Sequence, residues 1–264
     1  MRFKSVERFT LYGGGVVMEF DHGRHRYYVT DKANGLKRVQ VPGVTTVLSV
    51  LARPALINWA AGQAAEYVQD NLRPGVPLDE VEIEELAKGA RWAHRRTKDR
   101  AATVGTVVHS WIEKYVERHI LRRRRLQPLP QNQQARAGVE AFLSWVDEHD
   151  VRFRLSEQRL YSRRYRYAGT ADIVADVDGV LTLIDVKTSK GVYPEYELQL
   201  AAYWQALAEE GWFQGAFEQA VVVKVGKEDG EFNVVPMFDA GGFERSFKVF
   251  EALLVVHGWR QERR

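Results

Sequence analysis

The sequence predicts an α/β protein, and three observations point that way. An Asp178-Gly179 pair separates two apolar runs, 169–177 and 180–187, and Asp-Gly between apolar segments is a strong two-residue hairpin signal. A Pro194-to-Gly211 segment rich in Ala and Leu follows, opened and closed by the residues that suit a helix start and stop. Strand-like "AVVVKV" comes next. A strand–strand–strand–helix–strand order behind a largely helical segment is the pattern of an α/β core with a helical lobe.

The elements follow in order. The first forty residues read as strands and turns, with "GGVVMEF" and "HRYYVTD" flanking "DHGR" as a hairpin. His22 and His25 fall in that turn and are expected to be exposed. Asn34-Gly35 marks another turn. "VPGVTTVLSVL" leads into an Ala-rich helix opened by Pro54. A long helical region is expected from about Leu78 to Leu121, in two or more pieces. "LQPLPQNQQ" breaks it, and a further helix covers about Gln133 to Glu148. Strand-like "VRFRLSEQRLYS" precedes the hairpin. "FNVVPMF" is a late strand and a terminal helix runs from about Gly242 to His257. The expected organisation is one domain over 1–264, with a β-rich region at 1–50, a helical lobe at 51–150 and an α/β core at 151–264.

Composition bounds the chemistry. At 264 residues, 45% hydrophobic and 28% charged, the chain has the make-up of an ordinary globular protein. It contains no cysteine, which excludes disulfides, a cysteine-based zinc site and an iron–sulfur cluster. No run of about 18 apolar residues exists, so no membrane partner is expected. The start lacks the apolar core of a secretory signal, and a cytoplasmic setting is the expectation. Net charge is only +3, but residues 91–125 hold eleven Lys or Arg against three acids and end in "RRRR" from Arg122. That segment suits a phosphate backbone, whereas the acidic "LDEVEIEEL" upstream reads as a solvated face.

The hairpin contains polar residues that do not fit its apolar surroundings. With Val177 opposite Val180, Asp172 falls opposite Asp185, and side-chain alternation puts Lys187 on the face of Asp185. Both faces are otherwise largely apolar, as in strands covered on both sides. Two facing carboxylates repel, and burying them unpaired is costly. Either Lys187 neutralises one of them in a structural ion pair, or a divalent cation is held by both, with the ammonium orienting a nucleophile.

Three other stretches bear on the choice. In "ATVGTVVHSWIEKY", Gly105, His109 and Glu113 share one helical face, and His109 is a metal ligand or a satisfied helical histidine. Glu157 lies on the strand before the hairpin, in reach of a metal or paired with Arg159 or Arg163. Arg163, Arg164 and Arg166 alternate with Tyr161, Tyr165 and Tyr167, offering either phosphate contacts and stacking surfaces or an edge strand with aromatic packing. Glu195, Gln199 and Tyr203 form a polar helical stripe, solvated unless it faces the hairpin.

The ordered set "GTVVH", "SEQ", "GTAD", "IDVKTS" and "QLAAY" resembles the PD-(D/E)XK nuclease superfamily, and within it the RecB-like branch that includes stand-alone single-strand exonucleases of phage and mitochondria. The N-terminal "VPGVTTVLSVL" and "RPALINWAA" look like the same stand-alone members, so the resemblance covers most of the chain. It implies a restriction-endonuclease-like core, a central mixed β-sheet flanked by helices, with an N-terminal β-hairpin region and helical lobe. It implies that His109, Asp172, Asp185 and the Val186 carbonyl bind one or two Mg²⁺ or Mn²⁺ ions. Lys187 would position the attacking water, with Glu157, Gln199 and Tyr203 completing the catalytic set. Some RecB-like nucleases carry a four-cysteine iron–sulfur staple, which this chain lacks.

The implied activity is a DNA exonuclease acting on single strands or frayed ends in a bacterial or phage-infected cell, leaving 5′-phosphates and 3′-hydroxyls. DNA is the expected partner, met by Arg122, Arg123, Arg163, Arg164, Arg166, Tyr165 and Tyr167, with a helicase or recombination protein as a candidate for delivering it. The rival readings are a flap or junction endonuclease, a DNA-binding assembly subunit with a vestigial site, and a metal enzyme built on "HSWIE" and unrelated to nucleic acid.

Overall fold

The computed structural model describes residues 6–51, 54–123, 127–189, 191–213, 217–226 and 231–263. The first four strands, β1 (Val6–Leu11), β2 (Val16–Asp21), β3 (Arg26–Asp31) and β4 (Leu36–Val41), form an antiparallel meander in chain order. The "DHGR" turn joins β2 to β3, and Gly35 takes a φ of 67° in the turn before β4, a conformation glycine adopts without steric cost. The inward residues Leu11, Val16, Met18, Val29 and Val41 pack against Tyr161 and Ala168 of the second sheet.

That second sheet has five strands in the order β5 (Val151–Ser162), β6 (Tyr167–Val177), β7 (Val180–Lys187), β8 (Gln219–Val225) and β9 (Phe232–Asp239). It is mixed: β7 and β8 are parallel and every other neighbour pair is antiparallel. A parallel pair needs a crossover, and helix α5 (Pro194–Glu210) supplies it. Pro194 opens α5 and Gly211 closes it in the left-handed region at φ 76°, as the sequence predicts. The β6–β7 turn also follows expectation. Asp178 and Gly179 both have positive φ, 52° and 86°, which matches strand twist in a two-residue hairpin. Val177 pairs with Val180, and the ladder runs back to Ile173 opposite Ile184.

Helices cover both faces of this sheet. One face holds α1 (Val44–Leu48), α5 and the terminal α6 (Phe243–Gln261) over Val174, Leu183, Ala220 and Val222. The opposite face holds α3 (Glu80–Ile120) and α4 (Gln133–Glu148) over Ile173, Ala175, Ile184, Val186 and Val223. The two faces explain why β6 and β7 are apolar on both sides. No helix among the described residues is long and apolar enough to cross a membrane.

The long helical region is one helix, not two or more pieces. Asp79 and Glu82 form a reciprocal capping box at its start, and no proline interrupts residues 80–120. Its C-terminal half is anchored by Val108, Trp111, Ile112, Tyr115 and Val116, spaced as an apolar helical stripe. Its N-terminal half pairs with α2 (Pro54–Asn71). Gly89 leaves no Cβ where the Tyr67 ring of α2 lies against it.

Arg163 ties the two sheets together. Its Nε and Nη2 donate to Asp31 at 2.9 and 3.1 Å, and Asp31 is fully buried. Arg163→Ala leaves that carboxylate, among the described residues, with the Ala33 amide and the Asn34 side chain. We expect a loss of about 3 kcal/mol in urea unfolding, only partly recovered by Arg163→Lys, because lysine cannot reproduce the two-pronged contact.

Candidate metal centre

The candidate site lies where β6 and β7 part. Their ladder ends at Ile173 and Ile184, and the Val186 amide just beyond it donates to Asp172 Oδ2 at 2.9 Å. A side chain thus takes up a backbone donor that the ladder leaves free. Residues from both helical layers converge on this fork. From α3, His109 Nε2 lies 3.1 Å from Asp172 Oδ2, and its Nδ1 lies 3.8 Å from Glu157 Oε1. From α5, Gln199 Nε2 donates to Asp185 Oδ1 at 3.0 Å and lies 2.9 Å from the Tyr203 hydroxyl. Lys187 Nζ lies 2.6 Å from Asp185 Oδ2 and donates to Gln199 Oε1 at 3.3 Å.

The site therefore has two linked halves. Ligand atoms of His109, Glu157 and Asp172 lie within 4.8 Å of one another. Asp185, Lys187, Gln199 and Tyr203 make the other half. Asp185 is expected from the resemblance to bind metal, whereas Glu157 is expected in the catalytic set, in reach of a metal but not as one of its ligands. The structure puts Glu157 inside the triad and ties Asp185 to Lys187 and Gln199. Glu157 reaches inward from a strained position, with φ at 48° within β5. That backbone turn is not visible in the sequence.

The donors fit a divalent cation. Two carboxylates and an imidazole suit manganese, with magnesium as the harder alternative. Asp185 Oδ2 is buried against the Lys187 ammonium at 2.6 Å, and a carboxylate oxygen so paired still has a second lone pair to offer a cation.

Electrostatics agree with a set of charges held close together. The hydrogen bond to Asp172 raises the His109 imidazole to about 9 against the pull of burial. Burial lifts Glu157 to about 7, helped by the Asp172 charge. Burial likewise lifts Asp185 to about 6 despite the nearby Lys187. Burial also pushes Asp172 upward, but His109, Lys187 and the Val186 amide outweigh it, and Asp172 ends below the usual carboxylate range. Burial lowers the Lys187 ammonium, and the attraction of Asp185 and Asp172 more than reverses this.

A pH dependence follows with a definite sign. His109, Glu157 and Asp185 all hold protons more tightly in the folded state than in the unfolded chain. Stability tied to His109 is full below its ordinary value and is lost as pH rises through about 9. Glu157 and Asp185 penalise folding once they must ionise, from their ordinary values up to about 7 and about 6. Asp172 works the other way, adding stability that is lost toward low pH. The metal-free protein should therefore lose melting temperature from about pH 5 to about pH 9. Saturating Mn²⁺ should flatten or reverse that slope, because the ion displaces the same protons. Melting curves across this range with and without Mn²⁺ measure both, and an Mn²⁺-independent slope would exclude the triad as a cation site.

The other predicted residues divide into three groups. Gln199 and Tyr203 are buried and face the hairpin, so their stripe is not solvated. Tyr167, expected as a stacking surface, is instead a core residue. It is fully buried and donates to the Ala202 carbonyl at 2.7 Å, because the start of β6 is covered by α5 and α6. Arg163, expected on DNA, is committed to Asp31, and Tyr165 packs edge-on against Phe247. Arg164 and Arg166 are exposed on the β5–β6 turn, about 17 Å along β6 from Asp172. Arg122 and Arg123 are exposed beyond the end of α3, about 20 Å along its axis from His109. Arg124 and Arg125 lie outside the described residues.

Sequence reasoning missed Tyr196, whose ring centroid lies 4.9 Å from Lys187 Nζ. The signal was there, since Tyr196 precedes Gln199 by three residues on α5. Glu113, one turn beyond His109, adds to the upward pressure on Glu157.

No family model and no curated protein matches the chain. Among solved structures, one titled "Crystal structure of SSO0001" aligns over 72% of this chain and 84% of its own, at 13% identity and a TM-score of 0.24. So low a likeness carries no argument, and the functional reading rests on the site.

Proposed function

We propose that the chain is a Mg²⁺- or Mn²⁺-dependent deoxyribonuclease of the PD-(D/E)XK type, built on a restriction-endonuclease-like core and acting as an exonuclease on single-stranded or frayed DNA. The observation that carries this reading is the paired arrangement at the fork, with His109 on Asp172 at 3.1 Å and Lys187 on Asp185 at 2.6 Å. Ion pairing accounts for Lys187 with Asp185 and for His109 with Asp172. It leaves Glu157 as a second carboxylate drawn onto the same imidazole, at 3.8 Å.

His109, Glu157 and Asp172 would hold the ion, with Asp185 as a further candidate ligand. When bound, the ion supplies positive charge for the phosphate oxygens and a water of lowered pKa. The chain's own residues do the rest. Asp185 and Gln199 fix the Lys187 ammonium from two sides, and Tyr196 flanks it from a third. So held, Lys187 can donate to a water or a phosphate oxygen without searching rotamers. Gln199, hydrogen-bonded to both Asp185 and Tyr203, keeps the Asp185 carboxylate aimed at the fork. Exposed Arg122, Arg123, Arg164 and Arg166 would attract the backbone from a distance, independently of sequence.

The test incubates the protein with end-labelled linear and covalently closed circular single-stranded DNA in Mg²⁺, Mn²⁺ or EDTA. Metal-dependent loss of the linear strand alone supports the exonuclease. Cutting of the circle shifts the reading to an endonuclease. DNA binding with no cleavage in any metal makes the protein a binding subunit.

A further inference from the structure

Beside Lys187 lies a cavity of about 520 Å³, bounded by α1 and its following turn on one side and by the start of α5 on the other. We infer that this cavity is the subsite for one nucleoside of the strand being cut, indifferent to which base it carries and not built for a terminal phosphate. The inference rests on the nuclease reading and names how that site holds its substrate.

The location comes first. Lys187 and Gln199 form part of the cavity wall, and both contact Asp185 directly. A group in the cavity therefore adjoins the phosphate that the fork would hold. The volume falls within the range of small-ligand sites and suits about one nucleoside.

The lining fits a base and a sugar better than a phosphate. Leu51 and the Tyr196 ring offer apolar or flat surface, and base–aromatic stacking tolerates any base. Thr45 and Ser49 add hydroxyls at the rim. Lys187 is the only cation among the described lining residues, and Glu195 stands on the same wall. A phosphate pocket calls for a guanidinium fork or a row of amides instead.

The wall is rigid. Val44, Val47 and Leu48 of α1 are buried in the core. The segment before α1 is stitched to β6, where the Ala168 amide donates to the Pro42 carbonyl at 2.9 Å and Gly43 bridges Ala168. Thr45 on this anchored helix and Ser49 just after it are exposed, so larger side chains there fill the cavity without disturbing the core.

The experiment uses Thr45→Trp and Ser49→Trp, with Val255→Trp on exposed α6 as a control for surface tryptophan. KM for a single-stranded oligothymidylate should rise at least about tenfold in the first two, with kcat and Mn²⁺ affinity near wild type. An oligonucleotide with an abasic residue next to the cut should show the same penalty on the wild type and little further loss on the variants. If the wild type cleaves and neither tryptophan changes KM, the subsite is wrong and the nuclease reading stands. If the wild type does not cleave but binds oligothymidylate in Ca²⁺, and the variants lose that binding, the subsite stands and the nuclease reading falls. Absence of both cleavage and binding overturns both.

Discussion

Lys187→Ala should lower kcat for DNA hydrolysis by about 10²- to 10⁴-fold, the range for losing a positioned proton-handling group. Its effect on the fold should be just as informative. Asp185 is almost fully buried and has Lys187 as its one ion-pair partner among the described residues. Removing that ammonium leaves a buried carboxylate whose proton affinity, already raised to about 6 by burial, climbs further. The variant should therefore be close to wild type in stability at acid pH and weaker by about 3 kcal/mol above neutrality. Pairing Lys187→Met with Asp185→Asn should restore stability, since neither charge remains, and should not restore activity. Urea unfolding at two pH values beside the cleavage assay separates these effects. Cleavage by Lys187→Ala within a few-fold of wild type would remove the lysine from the mechanism.

Asp172→Asn should cost at least about 100-fold in Mn²⁺ affinity and abolish cleavage. The substitution is nearly isosteric, and its carbonyl oxygen can still accept from the Val186 amide that Asp172 bonds at 2.9 Å. What it removes is the negative charge at the centre of the triad. The hydrogen bond to that charge is also the largest influence holding His109 at about 9. The same variant should therefore bring the His109 titration back toward the ordinary histidine range, read by NMR on the imidazole. Calorimetric titration with Mn²⁺ gives the affinity. Unchanged affinity with a lowered His109 would mean that the triad is an electrostatic cluster and that the ion binds elsewhere.

Much of this was legible without coordinates. The Asp178-Gly179 turn forces the β6–β7 register, because a two-residue loop permits only one pairing and that pairing runs Asp172 toward Asp185. Pro194 and Gly211 bracket α5 because each has a fixed backbone role at a helix end. The unity of α3 was harder to read. The sequence pattern read as two or more pieces, but capping at the start and packing of the C-terminal half carry one helix through. Tyr167 was hard to read for a different reason: the arginines around it lie in the β5–β6 turn, whereas Tyr167, Ala168 and Gly169 enter the core in succession.

The chain by itself determined the strand register, the helix boundaries at proline and glycine, and which chemistry-bearing residues exist. These are local consequences of backbone sterics and side-chain period, and they need no distant partner. Only the tertiary structure decided that His109 from α3 and Gln199 from α5 meet at one fork from opposite faces of a sheet. It alone put Glu157 rather than Asp185 beside His109 and Asp172, and withdrew Arg163 to a buried partner 132 residues away in sequence. Those outcomes depend on how two apolar sheet faces choose their covering helices. That choice is made by the summed burial of many side chains, which no single stretch of sequence contains.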